Sequence, residues 1–184
     1  DFILKPVSIE NMCNIIYQII NKIDKKKNEK NQATQLVLKM EELRPIIESD
    51  CIHSIVQNSK PDEIRKYFSL LNIVPKSGFC IVFQKNSFQP YQIHSFIAEI
   101  EDLGCRCMKD SYYEVHVLFV FSLARLSNQD IQIFEALIKK YFYGLDQMGV
   151  GDICVNYENF YESYVSAIKN IGSIIELKES DSKN

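Results

Sequence analysis

Two periodicities alternate along the second half of this chain, and their order predicts a fold. GFCIVFQ at 78–84 is an apolar run of strand length. PYQIHSFIAEIEDLG at 90–104 repeats apolar residues every three to four positions, which sets Ile93, Phe96, Ile97 and Ile100 on one helical face. CRCMKDS at 105–111 and EVHVLFVFS at 114–122 alternate in twos around Tyr112 and Tyr113, the pattern of a hairpin. NQDIQIFEALIKKYFYGLDQMG at 128–149 returns to the helical period through Ile131, Phe134, Leu137, Ile138 and Tyr141. GVGDICVN at 149–156 supplies a last strand-length run. The order βαββαβ is the split-βαβ, ferredoxin-like arrangement.

The same alternation assigns faces. Cys80 and Val82 point one way, and Ile81 and Phe83 the other; Val115, Val117, Phe119 and Phe121 oppose His116, Leu118 and Val120. A strand apolar on both faces is a central strand covered on both sides. The two helices of the repeat cover one face, which leaves the other for the helices that precede it. The segment 157–171, with Phe160, Tyr164, Ala167, Ile168 and Ile171 on one face, predicts a closing helix ended by Gly172. A short edge strand is expected over 174–177.

The first half is helical in pattern. Met12, Ile16, Ile19 and Ile23 recur at spacings of four and three, and the register extends through Lys26, Lys30, Ala33, Val37, Met40, Arg44, Ile47 and Cys51. Sustained alternation of four and three is a heptad seam. It predicts a long helix and a coiled-coil homodimer held by Met12, Ile16, Ile19, Ile23, Val37 and Met40, weakened in the middle by two lysines. Two separate amphipathic helices are the alternative. Pro45 favours a break there, or the first turn of a new helix over 44–58. Ile46, Ile47, Cys51, Ile55 and Val56 are its expected buried face. A further helix starts near Pro61, with Ser59 as its candidate cap and Ile64, Tyr67, Phe68 and Leu71 facing inward. The whole reads as an α+β chain: a long N-terminal helix followed by a ferredoxin-like βαββαβ sheet with packed helices.

Composition narrows the function. The chain has 184 residues, 46% of them hydrophobic and 24% charged, enough for one sizeable core. Its net charge of −3 disfavours a direct nucleic-acid surface. The apolar runs fall well short of a membrane span. Six cysteines, set mostly in apolar patterns without a secretory signal, predict reduced thiols in a cytoplasmic protein. Cys105 and Cys107 face the same way on one strand, but no second Cys/His pair has zinc spacing. His53, His94 and His116 fall on three different elements. No P-loop, dinucleotide fingerprint or Ser-His-Asp order is present. Catalytic residues, metal ligands and cofactors are therefore all expected to be none. The opening DFILKP, without an initiator methionine, reads as the start of a piece of a longer protein.

That opening carries the first of three resemblances. FILKPVSIENM is similar to the last strand and helix of a response-regulator receiver domain, in which a Lys-Pro pair follows the strand; Lys5 and Pro6 match it. The helical approach LRPIIESDCIHSIVQNSKPDEIRKYFSLLNI at 43–73 is the second. The pair MGVGDICVN and YENFYESYVSAIKNI is the third, a glycine-containing strand followed by a helix with Ser163, Tyr164 and Ala167. In this order they resemble the middle portion of AraC-type two-component response regulators, whose central domain is similar to a degenerate GGDEF, diguanylate cyclase-like, fold. The resemblance implies a receiver remnant over 1–24, a linker helix over 25–43, a degenerate GGDEF-like domain over 44–177 and a disordered tail over 178–184. It also implies an upstream receiver served by a histidine kinase, a downstream DNA-binding domain, and a non-catalytic role in dimerisation and signal relay. The alternative is a small-molecule or nucleotide sensor on the same fold.

The chain departs from the catalytic family where the chemistry sits. An active cyclase needs glycines at the hairpin turn for close backbone approach to the nucleotide, and carboxylates for Mg²⁺. Here the turn is Ser111, Tyr112, Tyr113 and Glu114, and Gln84 stands at the end of the first strand where the family has a metal-binding aspartate.

Overall fold

The computed structural model describes Gln18 and residues 38–85, 87–142, 144, 146–173, 175 and 177–178. The chain divides into two compact units, 1–44 and 45–184. In the first, the described residues Gln18 and 38–44 are helical, and Leu38, Met40 and Leu43 are exposed. Lys5, Pro6, Met12, Ile16, Ile19, Ile23 and Val37 lie outside the described residues, as does the tail beyond 178.

The second unit is an α+β domain. It runs α1 (helical over 45–56), α2 (Pro61–Leu70), β1 (Ser77–Gln84), α3 (Pro90–Asp102), β2 (Cys105–Tyr112), β3 (Val115–Ser122), α4 (Asn128–Phe142), β4 (Met148–Val150) and α5 (Phe160–Lys169). The four strands form one antiparallel sheet in the order β2-β3-β1-β4. This is the ferredoxin-like order that the alternating periods predict. The register pairs Phe79 with Val120 and Cys107 with Val120, so β3 lies between β1 and β2 with both edges bonded.

Each face of the sheet carries its own core. On one side Cys80, Val82, Val117, Phe119 and Phe121 pack with Cys51, Ile52 and Ile55 of α1, Phe68 of α2, and Phe160 and Ala167 of α5. On the other, Phe79, Ile81, Phe83, Leu118 and Val120 pack with Phe96 and Ile100 of α3 and with Phe134 and Ile138 of α4. The amphipathic helices form because only one stripe of each is apolar, and each stripe finds a sheet face.

Several local expectations are corrected. Lys60, not Ser59, is the N-cap of α2, and no side chain caps it; Pro61 in the first position needs no partner for a missing N–H. Ile46 is 58% exposed, while Ile52 takes the buried place in α1. The helix expected to run to Gly149 stops at Phe142, short of Gly144, whose φ of +79° leaves helical space. The closing helix opens with a 3-10 turn at Tyr157–Asn159 and ends at Lys169, with Asn170 rather than Gly172 as its cap. At the described positions Ile175 and Leu177 no strand is formed. Leu177 instead buries its side chain and donates its N–H to Glu135 at 2.8 Å, and Ile153 donates to the carbonyl of Lys178.

One irregularity ties α5 to the sheet. Ile81 pairs with Val150, and Gly78 bridges Cys154, so the returning chain carries one residue more than β1 between the two pairs. That is a bulge, which leaves a ladder position unfilled. The orphan is the N–H of Cys80, and the buried Ser163 Oγ of α5 accepts from it at 2.9 Å. The same hydroxyl donates to the carbonyl of Asp152 at 2.7 Å. Ser166 donates to the Asp152 carboxylate at 2.7 Å, and Asn170 donates to the carbonyl of Val150 at 2.8 Å. Helix and strand come this close because Gly149 and Gly151 present no side chain: a Cβ on either would stand 1.9 Å from a backbone oxygen of α5.

Candidate functional site

The hairpin between β2 and β3 carries the glycine-free turn Ser111–Glu114. Its tip is the two-residue turn Tyr113–Glu114. Tyr113 sits at φ +51°, an uncommon place for a bulky residue, and is 79% exposed. Its ring meets Tyr112 edge-on at 4.7 Å, and Tyr112 in turn meets His53 of α1 at 5.5 Å. Glu114 is exposed, and its carbonyl accepts from Lys85 at the end of β1. Gln84 ends β1 and donates its backbone N–H to Gln147. The tip is thus capped by aromatic rings rather than open backbone.

Asp110 does not pair with Glu114. Strand alternation turns Asp110 toward α1, where Ser49 donates its hydroxyl to Oδ2. His53, one helical turn further on, brings Nε2 to 3.3 Å from the same oxygen, though without the alignment of a hydrogen bond. Asp110 Oδ1 accepts from the N–H of Ser111. Ser49 was not singled out by sequence, and His53 was weighed only together with His94 and His116, as histidines on three different elements. The four-residue spacing of Ser49 and His53 on one helix was visible, but the carboxylate they meet lies about sixty positions away. Among the described residues no group of three or more His, Cys, Asp and Glu side chains converges on a point that would hold a metal.

On the opposite face of the same sheet end lies a cleft of about 630 Å³, between β2–β3 and the start of α3. Its apolar part includes Phe83, Phe88, Ile93 and Leu118. Phe88 bridges Phe83 at 4.9 Å and the His116 ring at 5.3 Å. Its polar part includes Lys109, Asp110, His94, Ser111 and His116. Ser111 Oγ lies 2.8 Å from His116 Nδ1 and fixes the ring. Burial, with Lys85 and Lys109 nearby and Asp110 opposing, holds His116 below the ordinary histidine value. The ring is therefore mostly neutral at pH 7. The α3 terminus is built locally: Pro90 takes the first helical position, and Gln89 and Gln92 exchange hydrogen bonds in a capping box. The Pro-x-Gln signature was legible, but the cleft beside it was not, because three separate segments line it.

The cysteines are structural where they are described. Cys51, Cys80, Cys105, Cys107 and Cys154 form no disulfide among the described residues, and Cys105 and Cys107 pack with the second core. Burial, with a smaller effect from Glu48, pushes Cys51 from 9.0 up to about 12, and burial raises Cys80 well above its ordinary value. A thiol that stays protonated in the folded chain ionises more readily once unfolded. These two groups therefore add nothing to pH dependence below about pH 9, and stability falls as pH rises above it. Guanidinium midpoints are expected to drop between pH 8 and pH 10.5, and Cys51 and Cys80 to resist a thiol reagent at pH 8 until denaturant is added. An unchanged midpoint, or rapid modification of both in the native chain, contradicts this.

No protein-family model matches the sequence, and no curated protein matches it at a significant level. The fold is similar to that of a regulator of polyketide synthase expression from Bifidobacterium adolescentis, with a TM-score of 0.56 and 9% identity over 68% of this chain and 49% of that one. The match thus spans about half the length of that structure, and at this identity it establishes a shared fold alone.

Proposed function

We propose that this chain is a non-catalytic dimerisation and signal-relay module of a bacterial two-component transcriptional regulator of the AraC type. It would couple a phosphorylated receiver to a DNA-binding domain elsewhere in the parent protein. The observation that carries this reading is the hairpin. On a ferredoxin-like sheet whose GGDEF-like relatives do chemistry at that end, the turn is closed by Tyr112 and Tyr113, and Asp110 is engaged by Ser49 and His53. A fold stripped of its reactive groups is suited to transmitting contacts.

The relay itself is mechanical. Phosphorylation of the receiver shifts its last helix, which follows Lys5 and Pro6. The helix biases the register of a dimer seam whose middle, at Lys26 and Lys30, is weak enough to have two states. Leu38, Met40 and Leu43 are exposed within the N-terminal unit, which leaves apolar surface for a second copy to cover. Sedimentation velocity of the 184-residue chain is expected to show a dimer at tens of micromolar, dissociated by Ile16→Lys and Ile23→Lys together. A monomer at several hundred micromolar overturns the reading. A second reading, in which the domain senses a small molecule, is favoured by the cleft beside α3.

A further inference from the structure

We propose that the cleft between the start of α3 and the β2–β3 hairpin binds a small aromatic monoanion, of the aromatic carboxylate class. The inference rests on the sensing reading and names its ligand. Four features of the cleft carry it.

The volume of about 630 Å³ lies within the range of small-molecule sites. The apolar wall is aromatic and fixed: Phe88 is braced between Phe83 and His116, so a flat ring finds a surface already ordered. The lining holds one cation, Lys109, and one carboxylate, Asp110. Lys109 lines the cleft, and no ion pair joins it to an acidic side chain among the described residues. Asp110 belongs to the lining, but its carboxylate accepts from the Ser49 hydroxyl of α1, on the far face of the sheet. Finally, Ser111, His94 and His116 add polar groups to the same lining. The Ser111 hydroxyl holds His116 by Nδ1, and Nε2 has no hydrogen-bond partner among the described residues.

These features select against a nucleoside triphosphate. Such a ligand carries several negative charges and needs a metal or a cluster of cations. Lys109 and, at the edge, Lys85 are the lysines whose charge reaches His116 here. Asp110 is the acidic residue of the lining, and among the described residues no second carboxylate joins it there to bring Mg²⁺. The Tyr112–Tyr113 tip also denies the close backbone approach that glycine would give. One carboxylate on one ring matches one lysine, the imidazoles of His94 and His116, and an aromatic wall.

The test uses the full 184-residue chain and a matched pair of probes, 1-naphthylacetate and its neutral analogue 1-naphthylacetamide, read by isothermal titration calorimetry. The acid is expected to bind at least tenfold more tightly than the amide. Lys109→Gln is expected to abolish that preference while leaving the thermal midpoint unchanged, because Lys109 is exposed. Phe88→Leu is expected to weaken both probes alike. Equal affinity for acid and amide, no binding of either, or an acid preference that survives Lys109→Gln overturns the proposal. Mg²⁺ with GTP serves as the third arm. If it binds and is weakened by Lys109→Gln while naphthylacetate does not bind, the sensing reading stands and the ligand class is wrong. If all three fail to bind, the sensing reading fails with it.

Discussion

Replacing Gly151 with alanine is expected to destabilise the domain by about 3 kcal/mol or more, the upper end of the cost of overpacking. The new Cβ would stand 1.9 Å from the carbonyl oxygen of Ser163 and 2.7 Å from its hydroxyl. Neither is the loose end of a flexible side chain. Relief requires α5 to lift from β4, and lifting it pulls Ser163 away from the Cys80 N–H that has no other strand partner at the bulge. An orphaned buried donor adds about 1–3 kcal/mol to the steric cost. Gly104 gives the contrast. It has open space around it but a φ of +81°, so Gly104→Ala should cost only about 1–2 kcal/mol of backbone strain. Urea denaturation of the three chains, with slopes compared as well as midpoints, measures this. A Gly151→Ala midpoint within error of the original, or above that of Gly104→Ala, contradicts the close-approach argument.

Phe160→Ala is expected to cost about 3–5 kcal/mol, the range for truncating a fully buried aromatic residue. Phe160 is the first residue of α5 and is completely buried. Its ring meets Phe121 at 5.0 Å, Phe68 of α2 at 6.2 Å and Phe119 at 6.3 Å. It is therefore the point where two helices and the central strand share one contact, and no neighbour moves in without leaving another gap. Phe160→Leu keeps most of the volume and should cost clearly less than the alanine variant. The effect is read by guanidinium unfolding followed by circular dichroism. Equal stability of the alanine and leucine variants would show that the site collapses around the cavity.

Much of the architecture was legible because it is local. Strand and helix periods are written in neighbours two to four positions apart, so the βαββαβ order and both face assignments could be read directly. The face of β3 predicted by Val117, Phe119 and Phe121 is the one that packs α1, α2 and α5. The errors fall where local pattern competes with something distant. Ile46 looked buried because it is apolar, yet the direction of α1 gives the inward place to Ile52. Ile175 and Leu177 looked like an edge strand, but they pack into the second core, and hydrogen bonds to Glu135 and Ile153 hold their stretch. The 128–149 pattern continued past Phe142 on paper, while the backbone at Gly144 turns away.

The candidate site was half legible. The absence of glycine at Ser111–Glu114 and the neutral Gln84 could be read without coordinates, and they are the basis of the proposal that the domain is non-catalytic. The destination of Asp110, the bracing of Phe88 and the place of Lys109 in the cleft depend on residues brought together by sheet register, and no spacing rule encodes that. Gly149, Gly151, Ser163 and Ala167 mark the same division. The sequence by itself determined that a glycine-containing strand is followed by a helix with two small residues. Only the tertiary structure decided their use, because the distance between a helix and a strand is set by packing across the whole sheet. Where that distance closes to backbone contact, glycine removes the obstacle and serine fills the unbonded ladder position.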